Sequence, residues 1–402
     1  MITTINNKHN KLNFSNEREQ SQTCLNSAEH EKNQGRKVLN VPNLRFPEFE
    51  GEWEEERLAD IADLYKGTGI SKDQLSDDGE PCILYGELYT KYKSETIREV
   101  ISKTNIDNTK LVRSKANDVI IPCSGETAED IATARCVLNG NILLGGDLNI
   151  IRLHGYDGAF MSYQLNGRRK YDIAKVAQGV SVVHLYGEHL KGVKTINPCL
   201  EEQKKIAKLL SLLDERIATQ NKIIDKLQSL IKGIAHKLFQ TARTTKPLLE
   251  FAPNITSGTD KSGSGTIIPL YGSTGIIGTV KNASQNGNIV LVARVGTIGA
   301  VQYVNEPCGV SDNALIVEAG EMTKYIYHFL KTYNFARITS GTTQPLITAS
   351  SLKKVAIPTY DIESQTRIVL CLNSLEKKLD IAKQYLSEIA VMKQYLLRQM
   401  FI

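Results

Sequence analysis

Two segments of the sequence partly match motifs of metal and phosphate chemistry. His184, Glu188 and His189 lie close together, but their spacing does not place both histidines on one face of a helix, as zinc binding by H-E-x-x-H requires. The segment 258–263 has the glycine spacing of a phosphate-binding loop, but Ser264 stands where that loop needs a lysine. We therefore interpret the histidine segment as a polar loop, conclude that 258–263 is not a phosphate-binding loop, and expect no metal ion on this chain.

The tetrapeptide Asn197-Pro198-Cys199-Leu200 is a weaker candidate for chemistry. It partly matches the N-P-P-[FY] motif of adenine methyltransferases, but its third residue is a cysteine. It also stands at the start of a long helical pattern, where an asparagine is a favoured cap. We interpret it as a helix cap, and the sequence therefore predicts no catalytic residue.

The composition is typical of a soluble chain with more than one domain. The 402 residues exceed one ordinary core, and 41% hydrophobic with 23% charged residues is usual for globular proteins. No apolar run approaches the ~20 residues of a membrane helix. No apolar N-terminal segment marks export, so we expect a cytoplasmic protein. Cysteines without a C-x-x-C pair favour free thiols, and they stand at positions 24, 82, 123, 136, 199, 308 and 371.

Basic, hydroxyl and amide side chains in glycine-rich segments are the remaining candidates for binding. The net charge of +5 permits a nucleic-acid partner but does not require one. Lysine and arginine would contact phosphates, and arginine, asparagine or glutamine would read base edges. For any single residue, the alternative is a solvated surface charge. The candidate DNA-binding residues are Lys66, Lys72, Lys91, Lys93, Arg98, Lys115, Arg135, Arg168, Arg169, Lys261, Lys281, Arg294, Arg337, Thr342, Thr343 and Gln344.

Two long segments have the apolar spacing of a coiled coil. In 198–240 and again in 358–402, apolar residues recur at alternating intervals of four and three, interrupted only by Gln220 and Lys393. A proline begins each segment, where a first helical turn tolerates it. The alternative is two surface helices that pack separately. We predict two helices that pack together through Ile206, Leu210, Leu213, Ile217, Ile224, Leu227, Leu372, Leu375, Leu379, Leu386, Ile389 and Leu396.

The two helical segments are copies of one another, 162 residues apart. Gln203-Lys204-Lys205-Ile206 matches Gln365-Thr366-Arg367-Ile368 at this interval. The same interval pairs Leu213 with Leu375, Phe239 with Phe401, Gly179 with Gly341, Leu190 with Leu352 and Val193 with Val355. With small shifts, 117–121 also matches 287–291, and 147–151 matches 312–316. An internal repeat of this kind with two-fold symmetry would run the helices antiparallel and place Gln220 opposite Ala382.

The repeat divides the chain into five segments. Residues 1–40 are predicted to be a flexible polar extension, 41–197 a first globular domain, 198–243 a central helix, 244–357 a second globular domain and 358–402 a C-terminal helix. Apolar runs predict strands at 119–121, 142–144, 267–268, 289–292 and 314–317, and a helix covers 324–333. An amphipathic stretch begins at Trp53. We therefore predict an α+β fold with two globular domains joined by two antiparallel coiled-coil helices.

The sequence resembles the specificity (S) subunits of type I restriction-modification systems. Residues 41–49, Val-Pro-Asn-Leu-Arg-Phe-Pro-Glu-Phe, lead into Gly51-Glu52-Trp53 and Leu58-Ala59-Asp60-Ile61, a common opening of such subunits. Residues 201–206 and 213–217 are similar to the family's central conserved helix, and 399–402 to the end of its C-terminal helix. The resemblance covers residues 41–402.

This resemblance implies a function without catalysis by the chain itself. Each globular domain would be a target recognition domain that reads one half of a bipartite, asymmetric DNA site. The coiled-coil helices would set the spacing of the half-sites and dock two modification (methyltransferase) subunits. S-adenosylmethionine would be bound by those subunits, and ATP and Mg²⁺ by restriction/translocase subunits.

Two other classes of protein are alternatives. The chain could be a nuclease or methyltransferase that acts without partners, and turnover by the purified chain with cofactors and DNA would identify it. It could also be a scaffold joined by a coiled coil, and a scaffold that does not bind DNA would show no binding that weakens steeply with salt.

Overall fold

The computed structural model describes residues 40–107, 109–179, 182–263, 267–341 and 345–402, which form two compact units. The first unit runs to Ser211 and includes Tyr395–Ile402, and the second unit is Leu212–Gln394. Both units combine helices with sheets, so the α+β prediction is confirmed. The predicted extension lies outside the described residues except for residue 40. None of the described helices has the length and apolar content needed to cross a membrane.

The first unit contains a five-stranded central sheet. The strands of the whole unit are β1 (Glu54–Arg57), β2 (Ala62–Lys66), β3 (Leu75–Ser76), β4 (Glu80–Ile83), β5 (Thr96–Ile97), β6 (Ser102–Thr104), β7 (Asp118–Pro122), β8 (Ser124–Gly125), β9 (Arg135–Val137), β10 (Leu143–Leu144), β11 (Leu148–Leu153), β12 (Val183–His184) and β13 (Lys194–Asn197). Its short helices are α1 (Leu58–Ile61), α2 (Glu87–Thr90), α3 (Ala128–Ile131), α4 (Gly158–Asn166), α5 (Lys170–Val176) and α6 (Gly187–Leu190). The central sheet has the order β2-β11-β7-β9-β5, and a second sheet has the order β10-β4-β6-β3.

The second unit repeats this plan with fewer strands. After the long helix α7 (Leu200–Gln240), its strands are β14 (Thr244–Pro247), β15 (Thr256–Ser257), β16 (Ile268–Tyr271), β17 (Ile276–Val280), β18 (Ile289–Ala293), β19 (Val301–Val304), β20 (Gly309–Val310), β21 (Ala314–Val317) and β22 (Ala356–Thr359). Its helices are α8 (Leu248–Phe251), α9 (Thr323–Leu330), α10 (Ala349–Lys353) and most of the long α11 (Ile362–Gln399). The central sheet has the order β15-β21-β18-β19, and a smaller one has the order β17-β16-β20.

Each central sheet is built around one fully buried strand. All residues of β7 and all residues of β18 are buried, as uninterrupted apolar runs of this length predict. β7 pairs antiparallel with β11 and β9, and β18 pairs antiparallel with β21 and β19. Helix α4 packs on β7 and β9, and α9 packs on β18 and β19. The strands predicted at 119–121, 289–292 and 314–317 are confirmed.

The upstream repeat is confirmed, but its register differs by one residue from the sequence match. The match pairs Ile120 with Val290. In the structure, Ile120 lies in one core cluster with Ile150, whereas the corresponding cluster of the second unit contains Leu291 and Ile316. Because side chains alternate between the faces of a strand, a shift of one residue exchanges the faces. Both faces of these strands are apolar, so the sequence pattern could not fix the register.

A two-stranded ribbon precedes each long helix. β1 pairs with β13 and β14 with β22, and a matching hydrogen bond follows each ribbon. Leu58 donates its N–H to Val193 O at 3.0 Å, and Leu248 donates to Val355 O at 2.8 Å. The predicted equivalence of Val193 and Val355 is therefore confirmed. The amphipathic stretch that begins at Trp53 is divided into β1, α1 and β2.

The long helices begin later than their prolines predict. Pro358 lies in β22, where it pairs with Thr245, and α11 begins at Ile362. The prediction that Pro358 stands in a first helical turn is therefore wrong. Asp361 provides the cap of α11, because its Oδ1 accepts a hydrogen bond from Ser364 N at 2.8 Å. The glutamates of the first turn of α7 also suit the helix dipole.

The two long helices pack against each other in an antiparallel arrangement, as predicted. All twelve predicted interface residues are buried or half-buried. Within the second unit, Arg216 Nε donates to Tyr385 Oη at 3.2 Å and Gln220 Nε2 donates to Ala382 O at 2.9 Å. Asp214 Oδ1 lies 2.6 Å from Lys393 Nζ. As the residue numbers of these contacts rise along α7, from 214 to 220, the numbers of their partners on α11 fall, from 393 to 382. The helices are therefore antiparallel.

The two polar residues that interrupt the apolar stripes each have a partner across the seam. Lys393 and Asp214 form an ion pair whose side chains are only 11% and 8% exposed. Gln220 reaches the backbone of Ala382, whose small side chain leaves room for the amide. Polar groups buried in a coiled-coil seam restrict which register and partner orientation satisfy them. The interruptions therefore favour this antiparallel pairing.

Candidate nucleic-acid interface

The same hydrogen-bond frame occurs at the end of the central strand in each unit. In the first unit, Cys123 N donates to Asp147 O at 2.7 Å, and Leu185 N donates to Cys123 O at 2.8 Å. We call these three residues the first junction. It lies where β7, the start of β11 and the segment after β12 meet.

The second junction consists of Arg294, Asn313 and Ile347. Arg294 N donates to Asn313 O at 3.0 Å, and Ile347 N donates to Arg294 O at 3.1 Å. Arg294 directly follows β18, as Cys123 directly follows β7. The backbone is therefore the same at both junctions, whereas the side chains differ.

A glycine-containing loop lies beside each junction. Isolated bridges join Gln178 to His184 and Ser340 to Leu346. The loops contain Gly179 and Gly341, which have φ values of 128° and 92°, a region that favours glycine. The predicted equivalence of these glycines is therefore confirmed. Thr342, Thr343 and Gln344, three of the predicted DNA-binding residues, lie outside the described residues.

A cavity of about 590 Å³ lies beside the first junction. Tyr85, Tyr89, Ser124 and Val182 are among the residues that line it, and Tyr89 Oη donates to Ser124 O at 3.1 Å. Burial, and secondarily the charge of Asp130, raises the pKa of Tyr89, so this hydroxyl remains a donor at neutral pH. The cavity therefore offers apolar rings and hydroxyl groups at the loop end of the first unit.

Lys66 and Lys93 lie on the junction side of the first unit. Lys66 ends β2 in register with Asn149, two residues after Asp147 of the first junction. Burial raises the pKa of the Cys123 thiol to about 11, while the charge of Lys66 acts to lower it. Lys93 Nζ donates to Tyr89 O at 2.9 Å at the end of α2. These two predicted residues therefore neighbour the cavity and the junction.

Lys115 and Arg98 lie at the other end of the central sheet. Lys115 N donates to Asp118 Oδ2 at 2.7 Å before β7 begins. Arg98 directly follows β5, where Ile97 is in register with Val137 of β9. Val137 is in turn in register with Asp118 at the start of β7. Lys72 lies in a 3-10 turn, Lys72–Gln74, outside the central sheet. The structure therefore does not gather the predicted cations of the first unit into one patch.

Several predicted arginines of the first unit bond to the chain itself. Arg135 Nε donates to Tyr92 O at 3.2 Å, and Arg168 Nη2 donates to Arg398 O at 2.8 Å. Arg169 Nη1 approaches Asp172 Oδ2 at 3.4 Å. Lys91 is paired with Glu87 at 2.7 Å. Arg168 in particular binds the last turn of α11.

In the second unit, Arg294 and Arg337 come from neighbouring segments. Arg337 is exposed in the 3-10 turn Phe335–Arg337. The Phe335 ring of this turn packs so closely on Gly299 that a Cβ placed at Gly299 would lie 2.7 Å from the ring. Gly299 N in turn donates to Ala293 O at 2.9 Å, directly before Arg294. Lys281 lies at the far end of the β16–β17 pair, and Lys261 lies in the segment before β16.

The turn between β16 and β17 was missed by the sequence reasoning. Ser273 Oγ donates to Val295 O at 3.1 Å, and Gln302 Nε2 donates to Gly272 O at 2.9 Å. These bonds hold the turn against the loop that follows Arg294. Ile276 and Ile277, just past the turn, are 58% and 55% exposed. The paired glycines 272 and 275 were a signal for this turn, but they could not show which loop it contacts.

Asn197 does not cap α7. Its Nδ2 donates to Glu56 Oε2 at 3.1 Å and to Thr195 Oγ1 at 2.9 Å. Its Oδ1, the atom that would accept the capping bond, has no partner within the described part of the chain. The cap interpretation is therefore wrong: Asn197 ends β13 and ties that strand to β1.

The histidine segment is built from separate elements. His184 lies in β12, Glu188 lies in α6, and Glu188 pairs with Lys191 at 2.8 Å. Across residues 40–402, apart from the undescribed positions, no three His, Cys, Asp or Glu residues are placed to hold a metal ion.

The chain contains a duplicated α+β unit, which presents different side chains on one backbone frame, and an antiparallel pair of long helices. The chain belongs to the family of the type I restriction modification DNA specificity domain. This family matches residues 50–229 and 237–391, one match for each copy of the repeat.

Two curated relatives come from Methanocaldococcus jannaschii. The type I restriction enzyme MjaVIII specificity subunit is 29% identical over 197 residues, which are 49% of this chain and 43% of the relative. The putative type I restriction enzyme MjaX specificity subunit is 27% identical over 231 residues, which are 50% of this chain and 49% of the relative. The chain therefore spans less than half the length of these relatives.

Solved structures share the fold over nearly the whole chain. The S subunit of a type I restriction-modification system from M. genitalium has a TM-score of 0.66 at 20% identity, and the match covers 90% of this chain and 99% of that one. A chain from a structure of type I restriction-modification complex assembly has a TM-score of 0.52 at 15% identity, covering 90% and 98%. At these identities, the likeness establishes the architecture.

Proposed function

We propose that this chain binds DNA sequence-specifically as the specificity subunit of a type I restriction-modification complex. Each globular domain reads one half of a bipartite, asymmetric site. The chain itself performs no catalysis and acts on cytoplasmic DNA. Family membership supports the class of protein, and the paired junctions support the division of labour between the domains.

The observation that carries this proposal is the repeated junction. The backbones of Cys123 and Arg294 make equivalent hydrogen bonds in the two units, yet one side chain is a small thiol and the other is a long cation. Base edges are distinguished by the donors and acceptors that a protein places opposite them. A common frame with different side chains therefore suits two different half-sites.

The helix pair would fix the spacing between the half-sites. α7 runs without interruption from residues of the first unit into residues of the second, and α11 runs from the second back into the first. The antiparallel seam with its buried polar contacts would hold the two helices in one register. A fixed register would give a fixed number of unread base pairs.

The same helices would dock two modification subunits, one for each copy of the repeat. Those subunits would bind S-adenosylmethionine and transfer the methyl group. Restriction/translocase subunits would bind ATP and Mg²⁺. Exposed apolar side chains on the outer faces of the helices, including Ile223, Leu230, Ile381 and Met392, support docking of further protein there.

Genome-wide mapping of methylated bases tests the proposal. Cells carry the modification subunits with or without this chain. We expect a split motif, two defined half-sites separated by a fixed gap, that appears only with the chain. Methylation that is identical in both strains would contradict the proposal.

The purified chain with its modification subunits is then titrated with motif DNA at several salt concentrations. The logarithm of affinity should fall linearly with the logarithm of salt concentration, because each phosphate contact releases counterions. A salt-independent signal would favour a scaffold, and turnover by the chain alone would favour an enzyme without partners.

A further inference from the structure

The backbone of Arg294 is held on both sides by hydrogen bonds to other segments of the second unit. Besides the contacts with Asn313 and Ile347, the following residue, Val295, accepts a hydrogen bond from Ser273 Oγ at 3.1 Å. Three other segments of the unit therefore converge on this position. The origin of its side chain is fixed by secondary structure rather than by a free loop.

The side chain of Arg294 is half-buried and has no complete set of partners within the unit. Its Nε is buried and makes no hydrogen bond to any residue that the structure describes. A buried donor of a charged group that lacks an acceptor destabilises a protein, so such groups call for a specific explanation. A ligand cannot reach this buried Nε directly. The Nη1 and Nη2 atoms of the same guanidinium are not among the buried atoms and make no hydrogen bond to the described residues, so a ligand could supply acceptors to them.

The surroundings of Arg294 favour a base edge over a phosphate. Ile276 and Ile277 stand exposed just past the turn that Ser273 ties to Val295. Apolar side chains suit the methyl groups and edges of bases in the major groove, whereas phosphates are met by cations, hydroxyls and backbone amides. Arg337, exposed on a turn, has the setting of a phosphate contact instead.

We propose that Arg294 reads a guanine in the half-site of the second unit, through hydrogen bonds to O6 and N7 in the major groove. The planar guanidinium matches this pair of acceptors, and a lysine does not reproduce its fork. The first unit presents Cys123 at the same position, so its half-site is read without this contact. The inference rests on the proposed function and assigns one base-reading residue to one domain.

The test begins from the split motif that methylation mapping defines for the wild-type complex. Duplexes carrying 7-deazaguanine, which lacks the N7 acceptor, are substituted one guanine at a time in the second half-site. We expect one position at which the wild-type complex loses about 10- to 150-fold in affinity, the range of one hydrogen bond to a charged group, because only the N7 acceptor is removed. The Arg294→Gln complex should bind normal and modified duplexes equally at that position.

Arg294→Lys separates base reading from charge. It keeps the positive charge, so a phosphate contact would survive, whereas discrimination of the guanine would be lost as in Arg294→Gln. Lys246→Gln is the matched control, because Lys246 lies on β14 of the same unit, is paired with Glu250 and is remote from the junction. The control should leave every base preference unchanged.

Each outcome bears on the proposal. A variant complex that keeps its preference for the first half-site is folded. If such a complex loses base preference at one position of the second half-site only, the result supports the inference. Uniform loss of affinity with a salt slope reduced by about 1 would mean a phosphate contact and would overturn it. Unchanged preferences in both variants would also overturn it while leaving the proposed function intact. A wild-type complex without a split motif would remove the proposed function and the inference together.

Discussion

Single residues tie the first unit to the start of α7. Arg45 forms a double hydrogen bond with Glu202, Nε to Oε1 at 2.8 Å and Nη2 to Oε2 at 2.7 Å, and it also donates to Gly51 O. The Glu202 side chain is completely buried. The bond to Glu202 raises the pKa of Arg45. This ion pair therefore fixes the N-terminal segment of the unit onto the long helix.

We predict that Arg45→Ala lowers the free energy of unfolding of the first unit by about 3 kcal/mol, because it leaves the buried Glu202 carboxylate without a counter-charge. Urea unfolding followed by the fluorescence of Trp53, the chain's single tryptophan, measures the change. The double variant Arg45→Met, Glu202→Leu should recover most of the loss. An unchanged midpoint in Arg45→Ala would show that the pair contributes nothing.

A second residue-level prediction concerns His328. Its Nε2 lies 2.9 Å from Asn373 Oδ1, its Nδ1 lies 3.9 Å from Glu376, and Lys331 and Lys324 also face it. Burial lowers the pKa of His328, so the folded state favours the neutral ring. The unfolded state then binds more protons at acid pH. Stability contributed here is present above the ordinary histidine pKa of about 6.5 and is lost as the pH falls from there towards the folded pKa.

Hydrogen exchange of α9 between pH 7.5 and pH 5 measures this dependence. Protection of the wild-type helix, corrected for intrinsic exchange, should decrease below about pH 6.5. His328→Gln should flatten this slope. His236→Gln is the matched control, because His236 is exposed on α7 of the same unit. A wild-type slope that persists in His328→Gln would assign the titration to another group.

The sequence allowed binding residues to be named only as a class. It could not separate Arg294, which stands at the second junction after β18, from Lys281, which lies at the far end of the β16–β17 pair. Both are basic residues near glycines, and only the pairing of distant strands distinguishes their positions. Ser273, Asn313 and the tyrosines of the first cavity were missed for the same reason.

At the scale of elements, the long helices were the most predictable feature. A stripe at alternating intervals of four and three determines which face is buried without reference to the rest of the fold. The partners of its interruptions were less predictable. Asp214 and Glu376 are equivalent in the repeat, yet Asp214 pairs with Lys393 in the seam, whereas Glu376 pairs with Lys331 at 2.6 Å.

The antiparallel seam predicts a specific crosslink. Cysteines that replace Gln220 and Ala382 should be joined by a short, reducible bifunctional thiol reagent, because Gln220 Nε2 lies 2.9 Å from the backbone of Ala382. Gel mobility with and without reductant measures it, in a chain whose exposed Cys199 and Cys371 are replaced by serine. A cysteine pair at 206 and 368 is the control for a parallel arrangement and should not crosslink. The reverse pattern would contradict the antiparallel assignment.

The strands were predictable in position but not in register. The runs around Ile120 and Leu291 are apolar on both faces, so a shift of one residue leaves the sequence match almost as good. The structure fixes the register through the core clusters and through Cys123 and Arg294, which follow the strands at the same point. The short strand β12 and the ribbons around the long helices depend on distant partners and had no local signal.

At the scale of the whole molecule, the repeat predicts that the two globular domains can be exchanged. Each domain leaves and rejoins the helical framework at a matching hydrogen bond, Leu58 with Val193 at 3.0 Å and Leu248 with Val355 at 2.8 Å. The segments between these bonds differ in length and in their junction residues. The framework outside them is the repeated ribbon and long helix.

We therefore predict that replacing residues 248–355 with residues 58–193 yields a folded chain with two first domains. Because the helices are antiparallel, methylation mapping of its complex should reveal a split motif whose half-sites are inverted copies of the first half-site, with the spacing of the wild type. The reciprocal chain, with residues 248–355 in both places, should yield inverted copies of the second half-site. A motif that keeps the original second half-site in the first chimera would contradict the assignment of one half-site to each domain. Equal thermal stability of the two chimeras and the wild type would show that the matched hydrogen bonds are sufficient joints, since the framework then accepts either domain at either position.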